Sequence, residues 1–226
     1  MMVAAGSLAS AQLLHSTGRP IAGLGTHLTD HAMVAYRVRL SPAILHGLTA
    51  DDEFAVWVPR AAERQHHIQV VQSPLAPDGT PTAHDLASAD VVGFAPVQPR
   101  PQNRLMFSDR LDRVGLPAVS AAFAHSSEDR AALATLNGDL GELVTAIADT
   151  THGWSSSLGP VGASIHLMGT VRMAADGSPT VCDSQGRVHG FTDLYVAGNG
   201  VLGSANAGNP TLLTVALALR TAEAIA

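Results

Sequence analysis

The sequence predicts a mixed α+β (α/β) chain: an antiparallel sheet of about six strands with flanking helices, closed by further strands and helices at its end. Three patterns carry this reading. Over residues 33–40, Val34, Tyr36, Val38 and Leu40 fall on one face and Arg37 and Arg39 on the other, the period-two alternation of a half-buried strand. Leu133, Leu136, Leu140, Leu143 and Ile147 recur at three- and four-residue steps, the period of an amphipathic helix. Near the end, residues 193–197 read as a strand, a glycine-rich run over 198–208 follows, and Asn209-Pro210 opens a last helix.

In chain order, residues 2–6 read as a short buried strand, Ser7 as the cap of a helix to about His15, and Gly18 as its stop. The strand over 33–40 is followed by candidates at 53–58 and 67–72, then by a Pro/Gly-rich loop over 73–84. Segments 90–94, 104–107 and 118–123 bring the sheet to about six strands. Ser126-Ser127-Glu128-Asp129 begins the long helix, with acids in its first turn, and that helix runs to about Thr150. Residues 153–162 form a Ser/Gly loop. Asn209 stands where an N-cap belongs and Pro210 at the first helical position. The last helix, 211–225, carries an apolar stripe of Leu212, Val215, Ala216 and Leu219.

Composition removes several function classes. With 226 residues, 46% hydrophobic and 14% charged, the chain is globular and long enough for a sizeable core. The formal net charge is -6 and the 13 basic residues, all Arg, form no cluster, so binding to a nucleic-acid backbone is not expected. Cys182 is the single cysteine, which excludes an intramolecular disulfide. Residues 1–14 are apolar but lack a basic leader and the length of a span, so neither signal peptide nor membrane span is expected and the expected location is cytoplasmic.

Several motifs invite chemistry. Gly198-Asn199-Gly200-Val201-Leu202-Gly203 matches G-x-G-x-x-G after a strand, but a dinucleotide fingerprint also needs its helix to begin at the motif and an acid beyond a second strand. A glycine loop there still lets backbone approach a phosphate or flavin. His166, within Ile165-His166-Leu167-Met168, has two readings: a core histidine held by its neighbours, which is the commoner case, or a general base. Asn209 reads as a plain N-cap, yet a helix N-terminus also favours negative charge. His27 and His31 stand four apart without a third ligand, so no metal site is expected, and no G-x-S-x-G nucleophile motif occurs.

Taken together, these residues resemble a known family. Ile165-His166-Leu167-Met168-Gly169-Thr170-Val171-Arg172-Met173 resembles the His-x-x-Gly-Thr-x-x-Met signature of glucose–methanol–choline (GMC) oxidoreductases. Leu194-Tyr195-Val196-Ala197-Gly198 and Asn209-Pro210-Thr211-Leu212 resemble its closing strand and Asn-Pro-Thr helix, and 181–190 the connection between them. Upstream, Val3-Ala4-Ala5-Gly6-Ser7 is similar to a strand and helix of the family's FAD domain, and Leu28-Thr29-Asp30-His31 to the turn that follows. Residues 103–129 are similar to its substrate-domain sheet and long helix.

The resemblance implies the C-terminal half of an FAD enzyme that oxidises an alcohol or sugar. It divides the chain into a partial FAD-domain strand and helix (1–30), a substrate-binding domain (31–160) and a C-terminal FAD-domain segment (161–226). It makes His166 the base that removes the hydroxyl proton as hydride passes to flavin N5, and Asn209 the group that helps hold the alcohol. Gly198, Asn199, Gly200, Asn209, Pro210 and Thr211 would line the flavin. The family's N-terminal fingerprint is absent, Gly198 stands where many relatives have Asp, and Ala174 where Gly is usual. The implied partner is therefore a second polypeptide carrying the dinucleotide-binding half. The alternative is a non-catalytic truncated remnant or interaction module.

Overall fold

The computed structural model describes residues 1–47, 54–73, 75, 78–79, 87–173 and 179–225. Ala174, Glu53 and most of the loop over 73–84 therefore lie outside the described residues. The chain forms two compact units, one of Met1–His31, Val97–Ala124 and Ile165–Ala226, the other of Ala32–Pro96 and His125–Ser164.

The second unit is a five-stranded sheet with a long helix on it. Its strands are β2 (His31–Arg39), β3 (Ala55–Val58), β4 (His67–Gln72), β5 (Ser88–Pro96) and β8 (Trp154–Leu158), in the order β3-β4-β5-β2-β8. The alternation in β2 works as expected: Val34 and Val38 are buried, and Tyr36 reaches out to donate to Asn137 Oδ1 at 3.0 Å. Arg37, on the other face, holds Asp90 of β5 through two hydrogen bonds of 2.7 and 3.1 Å, and that bond to Asp90 raises the guanidinium pKa. A short helix, α2 (Pro42–Leu45), follows β2.

The long helix α3 (Ser127–Ile147) starts with a reciprocal cap. The Asp129 N–H donates to Ser126 Oγ at 3.0 Å and the Ser126 N–H to Asp129 Oδ2 at 2.7 Å, so two otherwise orphaned donors are satisfied. Leu133, Leu136, Leu140 and Val144 are buried, each such side chain contributing roughly 1.5–3 kcal/mol of hydrophobic stabilisation. The strand beneath must be flat to receive them: a Cβ at Gly93 would meet Leu136 and would lie 2.8 Å from Leu140 Cδ1.

Two elements of the expected sheet differ. Strand β8 lies in the segment read as a Ser/Gly loop, and pairs antiparallel with β2 from Val34↔Leu158 to Val38↔Trp154. All five of its residues are exposed, so no buried face marks the sequence and backbone pairing alone makes it a strand. Conversely, β6 (Arg104–Leu111) and β7 (Pro117–Ala122) form their own antiparallel pair and do not join the sheet. They belong to the first unit because α1 (Gly6–His15) holds them: Gln12 Nε2 donates to Asp112 Oδ2 and to the Pro117 carbonyl, both at 2.8 Å. Residues 97–124, expected inside a continuous 31–160 block, thus pack with the chain's two ends.

The first unit closes on β1 (Met2–Val3), which pairs in parallel with β9 (Tyr195–Val196). Both are shorter than expected, and Met2 is exposed where a buried strand was predicted. Around this pair Leu14, Leu28, Leu105, Val171, Val188 and Val196 form the core. Ser7 does not cap α1; its hydroxyl donates to the Leu167 carbonyl, and Ser10 Oγ accepts from the Ala5 N–H at 3.1 Å. Gly18, at φ +70, does end the turn that follows α1.

The last helix, α4 (Thr211–Ile225), has the expected bounds, and its apolar stripe faces outward. Leu212, Val215 and Leu219 are 81%, 50% and 61% exposed, while Leu217 packs on the core and Thr221 is buried. The reason is close approach: Thr221 Oγ1 would lie 2.8 Å from a Cβ at Gly186, so the helix docks through small groups. Among the described residues no helix is long and apolar enough to cross a membrane.

Candidate active site

The site is built by a short antiparallel pairing within the first unit. Thr29 and Met168 exchange both backbone hydrogen bonds, at 3.0 and 2.8 Å. Counting outward from that pair sets His31 opposite His166. The imidazoles do meet: Nδ1 to Nδ1 is 3.2 Å, the centroids are 5.0 Å apart and the planes are inclined at 63°.

The regular ladder stops there for a stated reason. Ile165 has φ +61, a left-handed conformation unusual for any non-glycine residue and a true outlier for a β-branched one. The turn aims the His166 N–H at the side chain of Asp30, whose Oδ1 accepts it at 3.0 Å. Asp30 and His31 are both buried. Burial lowers the His166 pKa, against the smaller opposing effect of the Asp30 charge, so the ring is neutral near pH 7 and able to take a proton.

The residues after His166 are fixed by backbone crowding. Gly169 stands at φ +90, and a Cβ there would strike the His27 carbonyl. Thr170 Oγ1 donates to the Ser7 carbonyl at 2.5 Å, and Arg172, 1% exposed, donates from Nη2 to the Pro179 carbonyl at 3.2 Å. The segment is also tied to the glycine run, since the Val171 and Met173 N–H groups donate to Gly200 and Val201 carbonyls, both at 3.0 Å. A Cβ at Gly200 would lie 2.7 Å from Val171 Cγ2.

The residues expected to line a cofactor all lie between β9 and α4. Gly198, at φ 109 and ψ 177, holds a conformation essentially confined to glycine. Gly200 is buried within the single 3-10 turn Asn199–Val201, and Asn199 Oδ1 accepts from Thr214 Oγ1 at 2.5 Å. Asn209 is exposed and Pro210 buried. At the start of α4 the Thr214 N–H donates to the Pro210 carbonyl at 2.9 Å. The N–H groups of its first turn lie at the positive end of the helix. That chemistry fits the electron-rich edge of a flavin. The G-x-G-x-x-G run does not lead directly into a helix, in line with its failure as a complete fingerprint.

All the expected site residues thus lie in one unit, and the segment that follows His166 is bonded directly to the run that leads to Asn209. Asp30 and His31 join the site without having been expected there; both follow the buried Leu28 and Thr29 and are themselves buried. His27 and His31 do not share a helix: His27 is in a turn at φ 58 and His31 opens β2. Among the described residues no group of three or more His, Cys, Asp or Glu could hold a metal.

Comparison with known proteins gives a consistent picture. Residues 99–218 match the family model described as GMC oxidoreductase. The chain is 35% identical over 239 residues to a C-glycoside 3-oxidase of Microbacterium trichothecenolyticum, covering 100% of this chain and 46% of that protein. It is 25% identical over 260 residues to a pyranose 2-oxidase of Tricholoma matsutake, with 99% and 46% covered. The chain thus spans about half the length of these relatives. Among solved structures, a formate oxidase of Aspergillus oryzae RIB40, studied for FAD modification, shares the fold with TM-score 0.67 at 14% identity, over 98% of this chain and 53% of that one.

Proposed function

The chain belongs to the GMC oxidoreductase family, and we propose that it is the catalytic C-terminal portion of an FAD-dependent enzyme that oxidises the CH–OH group of a sugar or other alcohol. The observation that carries this is His166: a ring held neutral by burial, its backbone fixed by Asp30, on a segment bonded to the run that enters α4. Relatives named as sugar oxidases favour a sugar over a simple alcohol.

FAD, when bound, supplies the hydride acceptor. In this reading Gly198, Asn199, Gly200, Asn209, Pro210 and Thr211 hold it, with the positive end of α4 facing its electron-rich edge. His166 takes the hydroxyl proton of the substrate, and its lowered pKa keeps it ready to do so at neutral pH. Asn209 hydrogen-bonds the substrate oxygen. Residues 1–30 and 161–226 act as the FAD-domain parts and 31–160 supplies the substrate domain, of which 97–124 packs within the first unit.

The rest of the FAD site is proposed to come from a second polypeptide carrying the dinucleotide-binding half. Two features support it. The β1–β9 pair is only two residues long, and parallel strands are ordinarily buried in larger sheets. The face of α4 with Leu212, Val215 and Leu219 is exposed and apolar, which fits a covering partner.

Co-expression with such a half tests the reading: a yellow complex that oxidises sugars is expected. His166→Ala should slow flavin reduction on the order of 10²-fold or more. An unchanged rate removes His166 as base, and a colourless, inactive complex favours the non-catalytic alternative.

A further inference from the structure

We propose that His31 is a positioning residue that fixes the tautomer of His166, so that Nε2 of His166 is the nitrogen left bare for proton removal. The inference rests on the reading of His166 as a base and adds a residue to it.

The geometry comes from the pairing of Thr29 with Met168, which brings His31 Nδ1 to 3.2 Å from His166 Nδ1. The 63° inclination of the rings suits an N–H pointing at a lone pair, not stacking. Two imidazoles that meet nitrogen to nitrogen share one proton between those atoms. Two N–H groups there would clash, and two lone pairs would repel. His31 is 1% exposed, so its ring has little room to turn away. His166 is held from behind by the Asp30 bond to its backbone.

Which ring carries the shared proton decides whether His166 can act. With the proton on His166 Nδ1, donated to His31 Nδ1, the lone pair of His166 sits on Nε2. A substrate O–H bond can then break, its proton forming a new N–H bond at Nε2, while the imidazolium keeps its Nδ1–H bond to His31. With the proton on His31 instead, neutral His166 carries its own proton at Nε2 and has no lone pair to offer there. The reading of His166 as a base requires the first arrangement, and the Nδ1–Nδ1 contact is the bond that can hold it.

The tautomer is read directly in the full 226-residue chain labelled with 15N-histidine, by long-range proton–nitrogen correlation at a pH where the rings are neutral. A pyridine-type Nε2 and pyrrole-type Nδ1 are expected for His166. In His31→Phe, Nε2 should move to the pyrrole-type position that free imidazole favours in water, and His31→Asn, whose amide oxygen can accept, should restore the original pattern. A pyrrole-type Nε2 in the parent chain overturns the proposal, even where the Phe variant does not fold. So does a His31→Phe spectrum identical to the parent's, which is what a purely packing role predicts. Because this readout needs neither flavin nor turnover, its failure is separable from failure of the reconstituted enzyme.

Discussion

The carboxylate of Asp30 accepts a hydrogen bond from the backbone N–H of His166 across 136 residues of chain. It anchors the strained turn at Ile165 and sets one charge beside one imidazole. Asp30→Ala removes the acceptor and leaves a backbone donor unmet, at a cost of about 1–3 kcal/mol in denaturant unfolding. Asp30→Asn keeps an oxygen in place and should cost less. Because the Asp30 charge raises the His166 pKa against burial, the Asn variant should titrate at lower pH than the parent, read from the His166 ring proton by NMR.

Acid should destabilise the chain before its carboxylates protonate. His66, His67 and His166 all have pKa values lowered from 6.5, in each case mainly by burial. The unfolded chain therefore binds more protons than the folded one between the depressed pKa values and 6.5, and stability falls with pH in that window. Thermal unfolding followed from about pH 8 to about pH 5 should show a falling midpoint. His67→Phe should flatten part of that slope, because only desolvation shifts His67.

Gly93→Ala tests how α3 packs on β5. The added methyl would press on Leu136 and Leu140, both 0% exposed with no room to yield. A loss of about 1–3 kcal/mol in denaturant unfolding is expected, and full native stability would refute the packing.

Cys182 should be inert in the native chain. The thiol is 1% exposed and burial, with the Asp183 charge, pushes its pKa up to about 12. Alkylating reagents at neutral pH should label it only after unfolding, a contrast read by mass spectrometry.

Leu212→Glu and Leu219→Arg separate folding from assembly. Both side chains are mainly exposed, so the chain's own unfolding midpoint should move by no more than about 0.5 kcal/mol. Capture of the dinucleotide-binding half should weaken at least tenfold in a titration if α4 lies under it.

Legibility in the sequence followed burial. Where one face is buried, as in β2 and α3, period alone placed the element within a few residues, and the Ser126–Asp129 cap fixed the start of α3. Strand β8 has no buried face, so nothing in Trp154-Ser155-Ser156-Ser157-Leu158 distinguished it from a loop. The stripe on α4 was read as apolar, but its exposure was not legible, because small groups at Gly186 and Thr221 decide which face docks. At the site, motif spacing pointed to His166 and to the Asn209 turn, but the partners Asp30 and His31 depend on a pairing between residues 29 and 168 that no local pattern announces.

The order in which the chain is synthesised bears on how it folds. Met2 pairs with Tyr195 and Thr29 with Met168, so the unit holding the candidate base cannot close until the chain has been made through β9. The sheet of residues 32–96 and 125–164 has all its strands available earlier. During synthesis, α1 must wait for partners such as Leu167, 160 residues further along the chain, an interval in which Ala11 and Leu14 lack part of the core that buries them.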